Sequence, residues 1–239
     1  MTETEKPEVK KEPRKTDVLG HVILAAPVFL LYHLGLLISP RAANGVDPIT
    51  RLMGYLAGMS TWIYLLVFGG LTVIYVLWVR RMARRQRFKP RRFPLVILEA
   101  AVYAVIMAPL AGLLLRKLHI LGFPLLAMGP LDRVVASAGA GFYEELVFRL
   151  LGIGLFVFVF KSYQLKRWLA LLLAALITSV VFSGFHYLGP TGDAFSLESF
   201  SFRFVLGMML AGVYIFRGFA TAVYAHFLYD VYVMCVWMG

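Results

Sequence analysis

The chain has 239 residues, 60% of them hydrophobic and only 15% charged, with a formal net charge of +11. A soluble domain would be about 45–50% apolar and about 25% charged, so the composition excludes an ordinary soluble domain and predicts an all-α polytopic membrane bundle. The positive charge sits in short segments between apolar runs, as membrane topology requires, so no nucleic-acid partner is expected.

Residues 1–17 form a Lys- and Glu-rich tail, expected to be disordered at the cytoplasmic surface. The apolar run Val18–Ser39 is long enough to span a bilayer. It shows no small-residue cleavage pattern and reads as an uncleaved first helix. Further apolar runs cover about Met53–Val79, Phe93–Leu115, Val134–Phe160, Trp168–Leu188, Ser199–Phe216 and Phe219–Met238. Each is near the ~20 residues a span needs, giving about seven spans. Between the third and fourth, His119–Pro130 reads as a loop or a shallow re-entrant piece, because Gly122, Pro124, Gly129 and Pro130 break regular structure. The single cysteine, Cys235, rules out an intrachain disulfide and reads as a packed apolar residue.

The fourth run holds Gly141-Phe142-Tyr143-Glu144-Glu145-Leu146-Val147-Phe148-Arg149. An ionisable side chain at the centre of a bilayer costs about 2.5–3.5 kcal/mol on insertion scales, so such groups are paired or functional. Glu145 and Arg149 are four apart and share a helix face, where they can pair. Glu144 is turned about 100° from Glu145 and about 140° from Arg149 at 3.6 residues per turn. Arg149 can therefore neutralise Glu145 and leave Glu144 facing elsewhere.

Two later runs carry polar groups at the same spacing. Phe182 and His186 share a face of the fifth helix, and His226 and Asp230 share a face of the seventh. Three helices thus bring catalysis-capable side chains to the bundle interior. His21, His33 and His119 lack comparable neighbours in sequence and read as structural or interfacial. Ser137 with Gly141, and Gly207 with Ala211, are small residues four apart that let helix backbones approach closely.

In this order, Glu144-Glu145-x-x-x-Arg149, Phe182-x-x-x-His186, Phe204-x-x-Gly207 and His226-x-x-x-Asp230 resemble the motifs of the CPBP family of intramembrane proteases, which includes CAAX-processing and bacteriocin-processing enzymes. The resemblance implies a transmembrane domain over 18–239 with its catalytic half at about 131–239. It also implies a bundle-embedded site that cleaves near the terminus of a membrane-associated protein or peptide. By position, Glu144 would be the general base, His186 its partner, and His226 with Asp230 the remaining catalytic pair; Glu145, Arg149 and Phe182 would support them. The family's last motif often ends in Asn. Here it ends in Asp230, which cannot donate to an oxyanion when ionised.

Peptide hydrolysis needs an activated water and a stabilised oxyanion. Ser183 lies three residues from His186, about 300° around a helix, and no nucleophile elbow is present. Two water-activating chemistries remain. In one, Glu144 with His186 deprotonates water without a metal or other cofactor, and His226 stabilises the oxyanion. In the other, His186, His226 and Glu144 hold zinc. The first is preferred, since the zincin pattern of two histidines and a glutamate on one helix is absent. Intramembrane Glu, His, Arg and Asp also mark proton or metal-ion transporters, but no inverted repeat supports that reading. A catalytically inactive scaffold is disfavoured by the complete set Glu144, His186 and His226.

Localisation follows from Lys and Arg: an integral protein of a prokaryotic cell membrane, N-terminus in the cytoplasm. The tail, the segment Arg80–Arg92 and the connection Lys161–Arg167 carry most of the positive charge and fall on one side when the N-terminus is inside. Anionic lipid accounts for the Arg80–Arg92 cluster without a further partner. Seven spans then place the C-terminus outside. A C-terminal alkaline phosphatase fusion should be active and a C-terminal fluorescent-protein fusion dark; the opposite pattern would add or remove a span.

Overall fold

The computed structural model describes residues 18–57, 60–84, 90–115, 129–188 and 192–237. The tail, His119 and most of the expected re-entrant segment lie outside the described residues, as does the side chain of Cys235. Every regular element among the described residues is helical. In chain order these are α1 (Val18–Leu36), α2 (Pro48–Ala57), α3 (Thr61–Ala83), α4 (Arg92–Leu115), α5 (130–162), α6 (Arg167–Phe185), α7 (Leu197–Arg217) and α8 (Phe219–Val231, continued by a wide turn over Tyr232–Trp237). The second apolar run differs from expectation. It is divided into the short amphipathic α2 and the long α3; Asp47 starts α2, its Oδ1 accepting from the N–H groups of Ile49 (2.8 Å) and Thr50 (3.2 Å).

Among the described residues, four helices (α1, α3, α6 and α7) are long and apolar enough to cross a membrane by length and composition. Only 6% of the α3 window is buried, against 44% for α1. α3 therefore lies at the rim with its apolar surface turned outward, as a lipid-facing helix does.

Local chemistry sets the helix ends. Pro130 opens α5 after Gly129, with Asp132 in the first turn, where a fixed φ and a negative charge both suit the N-terminus. Ser196 caps α7 by accepting from the Ser199 N–H at 3.2 Å. α7 and α8 are joined by Gly218 alone, at φ +91°. Only glycine adopts that backbone freely, and the His21 ring from α1 packs where a Cβ would stand.

α5 is not a plain α-helix. Over Ala140–Ile153 its hydrogen bonds follow the π pattern, which takes one more residue per bonded ring. Faces therefore recur near every fifth residue, and the buried positions Tyr143, Phe148 and Ile153 keep that interval, as do Glu144 and Arg149. Both glutamates are buried on this segment.

Inter-helix contacts fix the direction of each helix. Gly35 packs on Val135, and Gly139 packs on Tyr32 and Asn44, so α5 starts beside the end of α1. Tyr75 donates to the Val22 carbonyl and Arg217 pairs with Glu99, so the start of α1, the end of α3, the start of α4 and the α7–α8 junction share the other end of the bundle. Gly152 meets Thr178, and Gly207 meets Phe182 and Ser179, which aligns α5, α6 and α7 side by side in alternating directions. Ser183 donates to the Phe200 carbonyl at 2.7 Å and ties α6 to α7.

Gly141 is the tightest of these approaches for the site. A Cβ there would stand 2.8 Å from the Cβ and 2.9 Å from the backbone nitrogen of Phe227 on α8. Neither neighbour can yield, so Gly141→Val should destabilise the bundle by about 1–3 kcal/mol through overpacking. Gly212 has nothing within 4 Å of its Cβ position, so Gly212→Ala should be neutral or slightly stabilising. Thermal unfolding of the detergent-solubilised variants checks both.

Candidate active site

Gly141 brings the backbone of α5 against α8 one residue after His226, and the charged groups converge there. Glu145 and Arg149 form the expected pair: Arg149 Nη1 lies 3.1 Å from Glu145 Oε1, and both side chains are fully buried. The same oxygen accepts from His226 Nδ1 at 2.8 Å. Arg149 is held from two further sides. Its Nη2 donates to the Gly207 carbonyl at 3.2 Å, and its guanidinium lies 4.4 Å from the Phe182 ring centroid, a cation–π distance. Gly207 has a structural reason to be glycine, since a Cβ would meet Phe182 and Ser179 at 3.1 Å. Its small size lets the α7 carbonyl reach the arginine.

With Nδ1 engaged by Glu145, the Nε2 of His226 faces two other carboxylates. Glu144 Oε2 is 3.9 Å away and Asp230 Oδ2 is 3.6 Å away. Both distances exceed a direct hydrogen bond and leave room for a shared third group. Glu144 is buried but not sealed, at 7% exposure. One imidazole thus stands among three carboxylates and one guanidinium, on helices α5 and α8.

His186 sits beside this cluster. It is the first residue past α6, and its Nδ1 lies 2.9 Å from the Phe182 carbonyl. A carbonyl only accepts, so Nδ1 carries the proton and Nε2 is left for a partner. The Phe182 ring stands edge-on to both imidazoles, with centroids 5.0 Å from His186 and 6.2 Å from His226. No hydrogen bond joins His186 to Glu144 among the described residues; the link from His186 to the cluster is the Phe182 ring, which also contacts His226.

The N-terminal half contributes groups that the sequence did not single out. Asn44, in the connection after α1, donates from Nδ2 to Glu144 Oε1 at 2.9 Å. His33, expected from sequence to be structural or interfacial, is fully buried. Its two ring nitrogens lie 2.5 Å from the Tyr64 hydroxyl and 2.6 Å from the Tyr143 hydroxyl, linking α1, α3 and the residue before Glu144. The Asn44-Gly45 pair signals a turn, but nothing local in the sequence connects it with a carboxylate one hundred positions later.

Zinc would need open donors. Nδ1 of His186 lies against the Phe182 carbonyl and Nδ1 of His226 against Glu145, which leaves Nε2 of each available, the arrangement a metal-ligating histidine also shows. Among the described residues no group of three or more His, Cys, Asp or Glu side chains is arranged to hold a metal ion.

The chain is therefore a helical integral membrane protein with a set of carboxylates and imidazoles inside its bundle. Residues 126–232 match the family model described as type II CAAX prenyl endopeptidase Rce1-like. This match supports a CPBP family intramembrane protease, with endopeptidase action on a membrane-associated protein substrate as the activity such a family implies in general. Neither the curated proteins nor the solved structures contain a match.

Removing Arg149 would leave the Glu145 carboxylate buried with only His226 on it. Arg149→Ala should cost roughly 3–5 kcal/mol and lower the yield of folded protein together with activity. Arg149→Lys keeps the charge but loses the fork that reaches both Glu145 and Gly207, and should recover part of the yield. Size-exclusion profiles of the two variants measure this.

Proposed function

We propose that the protein hydrolyses a peptide bond near the terminus of a membrane-associated protein or peptide, with Glu144 activating the attacking water. The observation that carries this reading is the state of the Glu144 carboxylate. One oxygen is held by Asn44 at 2.9 Å, and the other faces His226 Nε2 across 3.9 Å. A water bound at that second oxygen, with the His186 Nε2 lone pair as a second acceptor, has the base it needs.

In this mechanism the water gives its proton to Glu144 as its oxygen attacks the scissile carbonyl carbon. The electron pair moves to the carbonyl oxygen, which takes a hydrogen bond from the imidazolium Nε2–H of His226. Glu145 holds the opposite nitrogen and so fixes the direction of that N–H, the role a buried carboxylate plays behind a catalytic histidine. When the tetrahedral intermediate collapses, the C–N bond breaks and Glu144 returns the proton to the leaving amine. Asp230 offsets the positive charge of His226 from the other side.

The same proposal includes seven spans, a cytoplasmic N-terminus and a cut in the half of the membrane away from the cytoplasm. Its support is that Asn44 and His186 lie at the bundle end opposite the Arg80–Arg92 segment. An impermeant thiol reagent should label a cysteine at Leu188 from outside; labelling only from the cytoplasm would turn the site inward.

Membrane proteomics of a deletion strain tests the activity. Proteins that keep an uncut terminus should appear and should be corrected by the wild-type chain. Glu144→Gln should process the same termini about 10²–10⁴-fold more slowly, with normal folded yield. Processing in solubilised membranes should survive chelators. Near-wild-type processing by Glu144→Gln would overturn the role of Glu144. Activity lost to a chelator and restored by zinc would replace the mechanism with a metal-assisted one.

A further inference from the structure

The connection between α1 and α2 is built around one amide. Asn44 Oδ1 accepts from the Val46 N–H at 2.8 Å, closing an Asx turn. The Asn44 N–H donates to the Tyr32 hydroxyl at 2.8 Å, and that hydroxyl donates to Asp47 Oδ2 at 3.0 Å. Asp47 is itself fully buried and caps α2. On the other side, Gly139 makes room: a Cβ there would meet Asn44 Cβ at 3.1 Å.

These contacts determine which way the amide faces. A flipped Asn44 would aim Nδ2 at a backbone N–H and Oδ1 at a carboxylate, losing both hydrogen bonds. Nδ2 therefore donates to Glu144 Oε1 and holds that oxygen away from the histidines. Asp230, the residue four past His226, has no N–H to offer when ionised.

We infer that Asn44 is the positioning residue for Glu144, pinning one carboxylate oxygen from outside the catalytic half so that the other is presented to water and His226. This rests on the proteolytic reading of the site and extends it to a segment the family match at 126–232 does not reach. A carboxylate free to rotate would spend most of its time with neither oxygen aligned, and misplacement by about 1 Å can cost about 10²-fold in rate.

The test uses the full chain in liposomes and the deletion strain together. Asn44→Ser keeps an oxygen for the turn at Val46 but is too short to reach Glu144; Asn44→Ala removes both. The carboxylate stretching band of Glu144, identified as the band missing in Glu144→Gln, should shift in both variants. Processing of the protein termini found in the deletion strain should slow by about 10- to 100-fold in both, with folded yield of Asn44→Ser near wild type. An unchanged band overturns the contact. A shifted band with wild-type processing overturns the positioning role. A wild-type chain that corrects no terminus overturns the proteolytic reading and this inference with it, a result distinct from loss confined to the Asn44 variants.

Discussion

A fully buried arginine facing a fully buried glutamate is the constraint the rest of the bundle has to satisfy. Bringing two such charges out of water costs several kcal/mol per ion, recovered only when geometry and further hydrogen bonds are good. Glu145 and Arg149 meet that condition in part, with partners from three other helices: His226 on α8, the Gly207 carbonyl on α7 and the Phe182 ring on α6, while Glu145 Oε2 and Arg149 Nη1 are buried without a hydrogen bond among the described residues. Each partner needs a close approach, and glycine permits it at Gly141 and Gly207. The small residues and the charges are thus one design, in which backbone proximity makes the ion pair tolerable and the ion pair fixes the orientation of an imidazole.

A second polar layer stands above the first. Tyr143 reaches back to His33, which reaches Tyr64, while Asn44 and Tyr32 reach Asp47. Apart from the Asn44 backbone N–H on Tyr32, these links join side chains that would be costly to bury alone. α1 and the connection after it are therefore tied to α5 at two successive residues, Tyr143 through His33 and Glu144 through Asn44. The amino-terminal helices do more than fill the membrane: they hold the segment of α5 that carries Glu144 and Glu145.

The positions of the long helices were legible because a run of about twenty apolar residues between basic segments matches the thickness of a bilayer, and the i, i+4 spacing made the Glu145–Arg149 pair readable directly. Glu144 reads as facing away from Arg149 and into the bundle, and it does lie 3.9 Å from His226 Nε2. What the spacing did not show is the π hydrogen bonding of Ala140–Ile153 on which it sits, which no propensity marks. Glu145 reads as a counter-ion in sequence, and its second role as the anchor of His226 needed α8 to be placed. Asn44 and His33 were missed for a different reason: their partners are remote in the chain, and a turn signal or a lone histidine says nothing of what it will face.

The single-residue link at Gly218 has a consequence for how α7 and α8 can move. With Gly218 alone between them, the end of α7 and the start of α8 stay one residue apart. Any parting of the two helices is therefore hinged there and is widest at their far ends. The His21 ring fills the space beside that hinge. Phe219, at the near end of α8, would shift least against α7, and Asp230, at the far end, would shift most.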